Sequence, residues 1–151
     1  MPRQEDLLKL NERLPESARD ILERADEFEL MSVAPGATFK PPAGADVISL
    51  KRWPGSFRVI GRTRVGDATL RMKILAALYR GMADAEGMAG CFVPRHAIRA
   101  GGAGRKVELV ICFHCSNVYG SAPGKEIMGF VTDSPQKLFD SVLTSAGVPL
   151  K

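Results

Sequence analysis

Apolar residues recur at helical spacing over the first 25 positions, where Leu14, Ala18, Ile21, Leu22 and Ala25 fall on one side of a 3.6-residue repeat. The pattern predicts an amphipathic helix within residues 5–25. Pro15, suited to a first helical position, separates from it a shorter helical piece ending near Leu14. The period then changes to two: Phe28, Leu30 and Ser32 open a strand, and the Pro- and Gly-rich residues 34–44 interrupt as a loop. Residues 56–65 alternate again, with Phe57, Val59, Gly61, Thr63 and Val65 expected on one face and Arg58, Ile60, Arg62 and Arg64 on the other. Asp67 is placed to cap a helix carrying Leu70, Ile74, Ala77, Leu78 and Met82 on one side, and Gly87 is placed to end it.

Strands are then expected at 91–100 and 106–119, joined by the glycine-rich turn 101–105, and at 127–132. A last helix is capped by Ser134, started by Pro135 and stopped by Gly147 and Pro149. This order predicts one α+β domain over residues 1–151: an antiparallel sheet of about five strands with helices packed mainly on one face, a two-layer sandwich. Residues 1–14 are read as an N-terminal helical extension.

Composition bounds the chemistry. With 151 residues, 45% hydrophobic and 25% charged, the chain is long enough to bury a core without a metal or a disulfide. No apolar run approaches the roughly 20 residues of a membrane span, and the charged start lacks the apolar stretch of a leader peptide. A cytoplasmic location with reduced thiols is therefore expected, the alternative being an exported protein whose leader has been removed. The net charge of +4 is uneven: residues 1–29 hold five Lys/Arg against nine Asp/Glu, and the remainder holds sixteen against eight. The acidic segment is expected to present a solvated helix face or to pair with the basic body.

All three cysteines and both histidines lie between Cys91 and Cys115. By spacing alone, Cys91, His96, Cys112 and Cys115 form C-x4-H-x15-C-x2-C, a donor set that Zn²⁺ prefers. Strand register argues against it. A two-residue turn at Ala103-Gly104 pairs Ala100 with Val107, Ile98 with Leu109 and Arg99 with Glu108, so apolar matching and charge pairing agree. Continued along two regular strands, that ladder sets Arg95 opposite Cys112 and Val93 opposite His114. Cys91, Arg95, Cys112 and His114 then share one face, while His96 and Cys115 take the other. A four-ligand zinc site and a Cys91–Cys115 disulfide are both disfavoured on this register, unless Pro94 bulges the first strand. On the shared face, Arg95 and His114 would assist a Cys112 thiolate, and His96 reads as a hydrogen-bonded core histidine.

Other signals are weaker. Residues 120–126 fall one residue short of a phosphate loop and lead into a strand, and Ser134-x-x-Lys137 is explained by helix capping. Arg58, Arg62 and Arg64, with Trp53 and the loop around Phe39 nearby, form the candidate contact surface for an acidic partner; nucleic-acid binding is not expected, because no recognition signature accompanies the charges.

The patterns Cys91-Phe92-x-Pro94-Arg95-His96-x-x-Arg99, Val110-Ile111-Cys112-Phe113-x-Cys115 and Ala146-Gly147-Val148-Pro149-Leu150 resemble a group of uncharacterised bacterial proteins, over most of the chain from Asp20 onward. The resemblance implies a bacterial origin and some exported relatives, and carries over no functional residue. With no complete catalytic constellation and no cofactor fingerprint, the expectation is a small non-enzymatic binding or accessory protein, of the immunity or inhibitor kind, with another protein as partner. The alternative is a metal-binding (Zn) or reactive-thiol protein built on Cys91, Cys112, Cys115 and His96 or His114, with Arg95 beside them.

Overall fold

The computed structural model describes residues 4–87 and 90–150. Among these residues four helices, α1 (Gln4–Arg13), α2 (Glu16–Arg24), α3 (Ala68–Asp84) and α4 (Gln136–Ser145), accompany seven strands: β1 (Glu27–Val33), β2 (Val47–Ser49), β3 (Ser56–Arg64), β4 (His96–Gly102), β5 (Arg105–Cys112), β6 (Asn117–Ala122) and β7 (Lys125–Phe130). The strands form one antiparallel sheet in the order β2-β3-β1-β4-β5-β6-β7. The α+β class is as expected, but seven strands replace about five. Expected strand 106–119 is in fact β5 and β6 separated by a turn, and β2 lies just after the loop 34–44, in a stretch to which the pattern assigned no element.

All four helices bury their apolar sides on one face of the sheet, where Leu10, Leu22, Leu78 and Phe139 meet Phe28, Leu30, Ile98 and Leu109. Helix α1 joins this core through Leu10 and Leu14, and Arg13 Nη1 donates to the Met82 and Ala85 carbonyls at 2.6 and 2.5 Å. It is thus tied to the body instead of standing off as an extension. Asp67 caps α3 as expected, its Oδ1 accepting from the Thr69 and Leu70 amides.

The other sheet face is covered too. Met31, Val33, Phe57, Ala97 and Val110 meet Ile48 and Leu50, with Trp53, Phe92 and Tyr119 packed around them. The Trp53 ring stacks on Phe92 at 5.1 Å, and Tyr119 stands edge-on to Phe92 at 4.7 Å. Segments flanking β2 and preceding β4 therefore act as a third layer, without helices.

The β4–β5 register is the expected one, with Ala100 opposite Val107, Arg99 opposite Glu108 and Ile98 opposite Leu109. In β3 the expected alternation breaks. Ser32 pairs with Gly61 and Val33 with Val59, leaving Ile60 as an extra residue in a bulge. Phe57 and Val59 consequently face the aromatic layer, while Thr63 pairs with Leu30 of the helix-side core. The same slip sends Arg58 to the opposite side from Arg62 and Arg64, so the three do not form one basic face.

The β4–β5 turn has positive φ at both central residues, 54° at Ala103 and 77° at Gly104. Asn tolerates this left-handed conformation better than Ala. Ala103→Asn is expected to stabilise the fold by about 1 kcal/mol, read as a raised midpoint in urea unfolding.

Candidate functional site

The chemistry-bearing residues gather at one end of the sheet, where β4 begins, β5 ends and α4 starts. Strand β4 begins only at His96, because buried Pro94 has no amide to extend the ladder. Residues 91–95 therefore run as irregular chain, and the pleat no longer dictates where Cys91 points. Arg95 keeps a backbone link to the sheet, its carbonyl accepting from the Val33 amide at 3.0 Å.

Strand β5 ends at Cys112, which pairs with Asn117 of β6 on one side, while on the other side the β4–β5 ladder stops one residue earlier, at His96 opposite Ile111. Between them residues 113–116 turn: the Ser116 amide donates to the Phe113 carbonyl at 3.3 Å, and Ser116 takes a positive φ of 59°. This turn corrects the expectation of a continuous strand. It swings Cys115 back toward Cys112 instead of onto the opposite face. The Cα atoms of Cys112 and Cys115 are 5.1 Å apart and their sulfurs form a disulfide. The expectation of three reduced thiols does not hold in this structure.

The third cysteine joins them. Cys91 Sγ lies 3.0 Å from Cys115 Sγ, so the register argument that kept these two apart is overturned by the irregular path of residues 91–95. Two contacts hold Cys91 there. Asn117 Nδ2 donates to the Cys91 carbonyl at 3.0 Å, and the adjacent Phe92 ring is anchored between Trp53, Phe57 and Tyr119. Cys91 is exposed, while Cys112 and Cys115 are buried. Asn117 escaped the sequence reading because an asparagine in a predicted strand has no pattern of its own. Its Oδ1 is buried without a hydrogen-bond partner.

The sulfurs are further tuned by backbone. The Cys115 amide donates to Cys112 Sγ at 3.1 Å, and the Val93 carbonyl oxygen lies 3.4 Å from the same sulfur. A disulfide closing so short a loop contributes only about 2 kcal/mol on the chain-entropy scale, less than the roughly 3 kcal/mol of a 15-residue loop. Stability is thus a weak reason for its presence. With Cys112 and Cys115 bonded to each other, their sulfurs are not thiolate ligands, and no group of three His, Cys, Asp or Glu among the described residues is arranged to hold a metal ion.

Cys112 also lines a cleft of about 410 Å³, together with Arg95, His96, His114, Asp133 and Asp140. His96 is 4% exposed, stands edge-on to Phe113 and Phe139, and its Nε2 lies 2.6 Å from Asp140 Oδ1. It is the hydrogen-bonded core histidine expected. Its partner, 44 residues away on α4, could not be read from the sequence. Burial lowers the His96 pKa below its ordinary value; the hydrogen bond and charge of Asp140 oppose this, and the Arg95 charge adds to the lowering.

The other candidate residues lie elsewhere. Trp53 is half-buried in the aromatic layer with its Nε1 unpartnered. Arg62 binds Asp46 and Glu29, and Arg64 pairs with Glu27, so β1 and the β2 segment, not the first helix, supply their partners. Arg99 bridges Glu108 at 2.8 Å and Asp46 at 3.1 Å, which latches the segment before β2 onto the sheet. Arg58 is exposed on the other side of β3.

Because its folded pKa is depressed, neutral His96 contributes stability that is complete above the unfolded value near 6.5 and is lost as pH falls through the lowered folded value. NMR titration of the His96 ring is expected to give a midpoint below 6.5 in the wild type. Asp140→Asn, which removes the opposing charge, is expected to move that midpoint lower still. Among known proteins, the chain matches no protein-family model, no curated protein and no solved structure.

Proposed function

We propose that this protein is a thiol–disulfide exchange protein whose reactive centre is the Cys112–Cys115 disulfide with Cys91 as a third sulfur. One observation carries the reading: a free thiol, Cys91, held 3.0 Å from a sulfur of a short-loop disulfide. A structural disulfide has no use for such a neighbour, whereas an exchanging one does.

The partner is another protein bearing a dithiol. Its first thiolate attacks Cys112 Sγ on the cleft wall, the S–S bond breaks, and the electron pair leaves on Cys115. The Cys91 S–H, already directed at the Cys115 sulfur, stabilises that buried thiolate by donating a hydrogen bond. The partner's second thiol then displaces Cys112 from the mixed disulfide. The partner loses two electrons and two protons, and Cys112 and Cys115 gain them. A disulfide at rest fits an oxidising compartment, the exported alternative. The earlier contact surface has less in its favour: Trp53 packs inside the aromatic layer, and Arg62 and Arg64 are engaged in ion pairs.

Equilibration in glutathione buffers of decreasing potential, followed by alkylation and mass measurement, tests the reading. The wild type is expected to pass from one alkylatable thiol to three. Cys115→Ser is expected to hold two alkylatable thiols throughout and to lose exchange with a dithiol partner. One bound metal per chain with all three thiols protected in the purified protein would overturn the proposal.

A further inference from the structure

We infer that Cys91 is itself an exchanging sulfur: the disulfide moves from Cys112–Cys115 to Cys91–Cys115, releasing Cys112 as a thiolate into the cleft. The inference rests on the exchange reading above and assigns the internal step of the same site.

Geometry supplies each part of the step. Cys91 is exposed, so its proton passes to solvent, and its sulfur lies 3.0 Å from Cys115 Sγ. The Cys91 thiolate attacks Cys115, the Cys91–Cys115 bond forms, and the Cys112–Cys115 bond breaks with its electron pair remaining on Cys112. One S–S bond replaces another, so no oxidant or reductant is consumed. Cys115 is the shared sulfur; it is fully buried and, unlike Cys112, does not line the cleft, which keeps external thiols away from it.

The leaving position is prepared at Cys112. The Cys115 amide donates to Cys112 Sγ at 3.1 Å, the hydrogen bond a thiolate accepts. After protonation, the Val93 carbonyl at 3.4 Å is an acceptor for the new S–H. Arg95 lines the same cleft, and its positive charge favours a thiolate there against the opposing carboxylates of Asp133 and Asp140. The released Cys112 thiolate then attacks one sulfur of an incoming disulfide; the Cys112–substrate bond forms, the substrate S–S bond breaks, and the displaced sulfur leaves as a thiolate on the substrate. The cleft thereby serves two substrates in turn: a dithiol when Cys112 is bonded to Cys115, and a disulfide when it is free.

The test uses the full chain, purified without reductant, alkylated briefly with a maleimide in its native state and digested without reduction. The expected result is label on both Cys91 and Cys112, every Cys112-labelled molecule carrying a Cys91–Cys115 disulfide. Cys91→Ser is expected to lose all labelling, since its disulfide is then locked, and Cys112→Ser treated with oxidised glutathione, which takes up the two electrons, is expected to form the Cys91–Cys115 bond. Label confined to Cys91 at all exposure times in the wild type would overturn the migration while leaving exchange at Cys112–Cys115 intact. Three alkylatable thiols and no disulfide in the unreduced wild type would instead overturn the exchange reading itself.

Discussion

Burial of the central strands on both faces is the constraint from which the rest follows. Six successive residues of β5, from Val107 to Cys112, are buried, and alternation sends half of them to each side. Helices cover one side, and chain without helices must cover the other. Phe92 and Trp53 do so, and Phe92 enters the aromatic layer because the segment before β4 leaves the ladder and escapes the alternation that would turn it to the helix side. The same irregular path leaves Cys91 beside Cys115, just past the end of β5. Cys91 therefore reaches the other two sulfurs through the way the second face is sealed, held by Phe92 packing and the Asn117 hydrogen bond rather than by strand pairing of its own.

The same end of the sheet shows how a local turn and a distant helix combine. Residues 113–116 close one turn, so Cys112 and Cys115 meet through four residues of chain. Asp140 arrives with α4, whose Phe139 and Leu143 are buried in the main core, and it meets His96 as a consequence of that docking. The cleft between them combines a sulfur, two histidines, an arginine and two carboxylates.

Much of this was legible in the residue pattern. The β4–β5 register followed from matching Ile98 to Leu109 and Arg99 to Glu108, because a two-residue turn and one buried face leave a single consistent alignment. The cap at Asp67 and the stop at Gly147, with φ of 74°, were equally local. The turn at 113–116 was not legible. Neither Gly nor Pro marks it, and Ser116 adopts positive φ without any sequence signal for doing so. The bulge at Ile60 was hidden in the same way, since one extra residue leaves the alternating pattern unbroken in sequence while reversing the face of Arg58.

By itself the sequence determined the class of fold, the helices, the hairpin register and the grouping of all Cys and His residues within one stretch. These depend on interactions between residues close in the chain, where periodicity and turn chemistry set the outcome. Tertiary structure alone decided that Cys91 meets Cys115, that His96 meets Asp140, and that Trp53 turns inward. These contacts span 24 and 44 residues for the first two, and they arise from filling two separate cores. Packing of that kind is governed by the shapes of many side chains together, which no short pattern along the chain encodes.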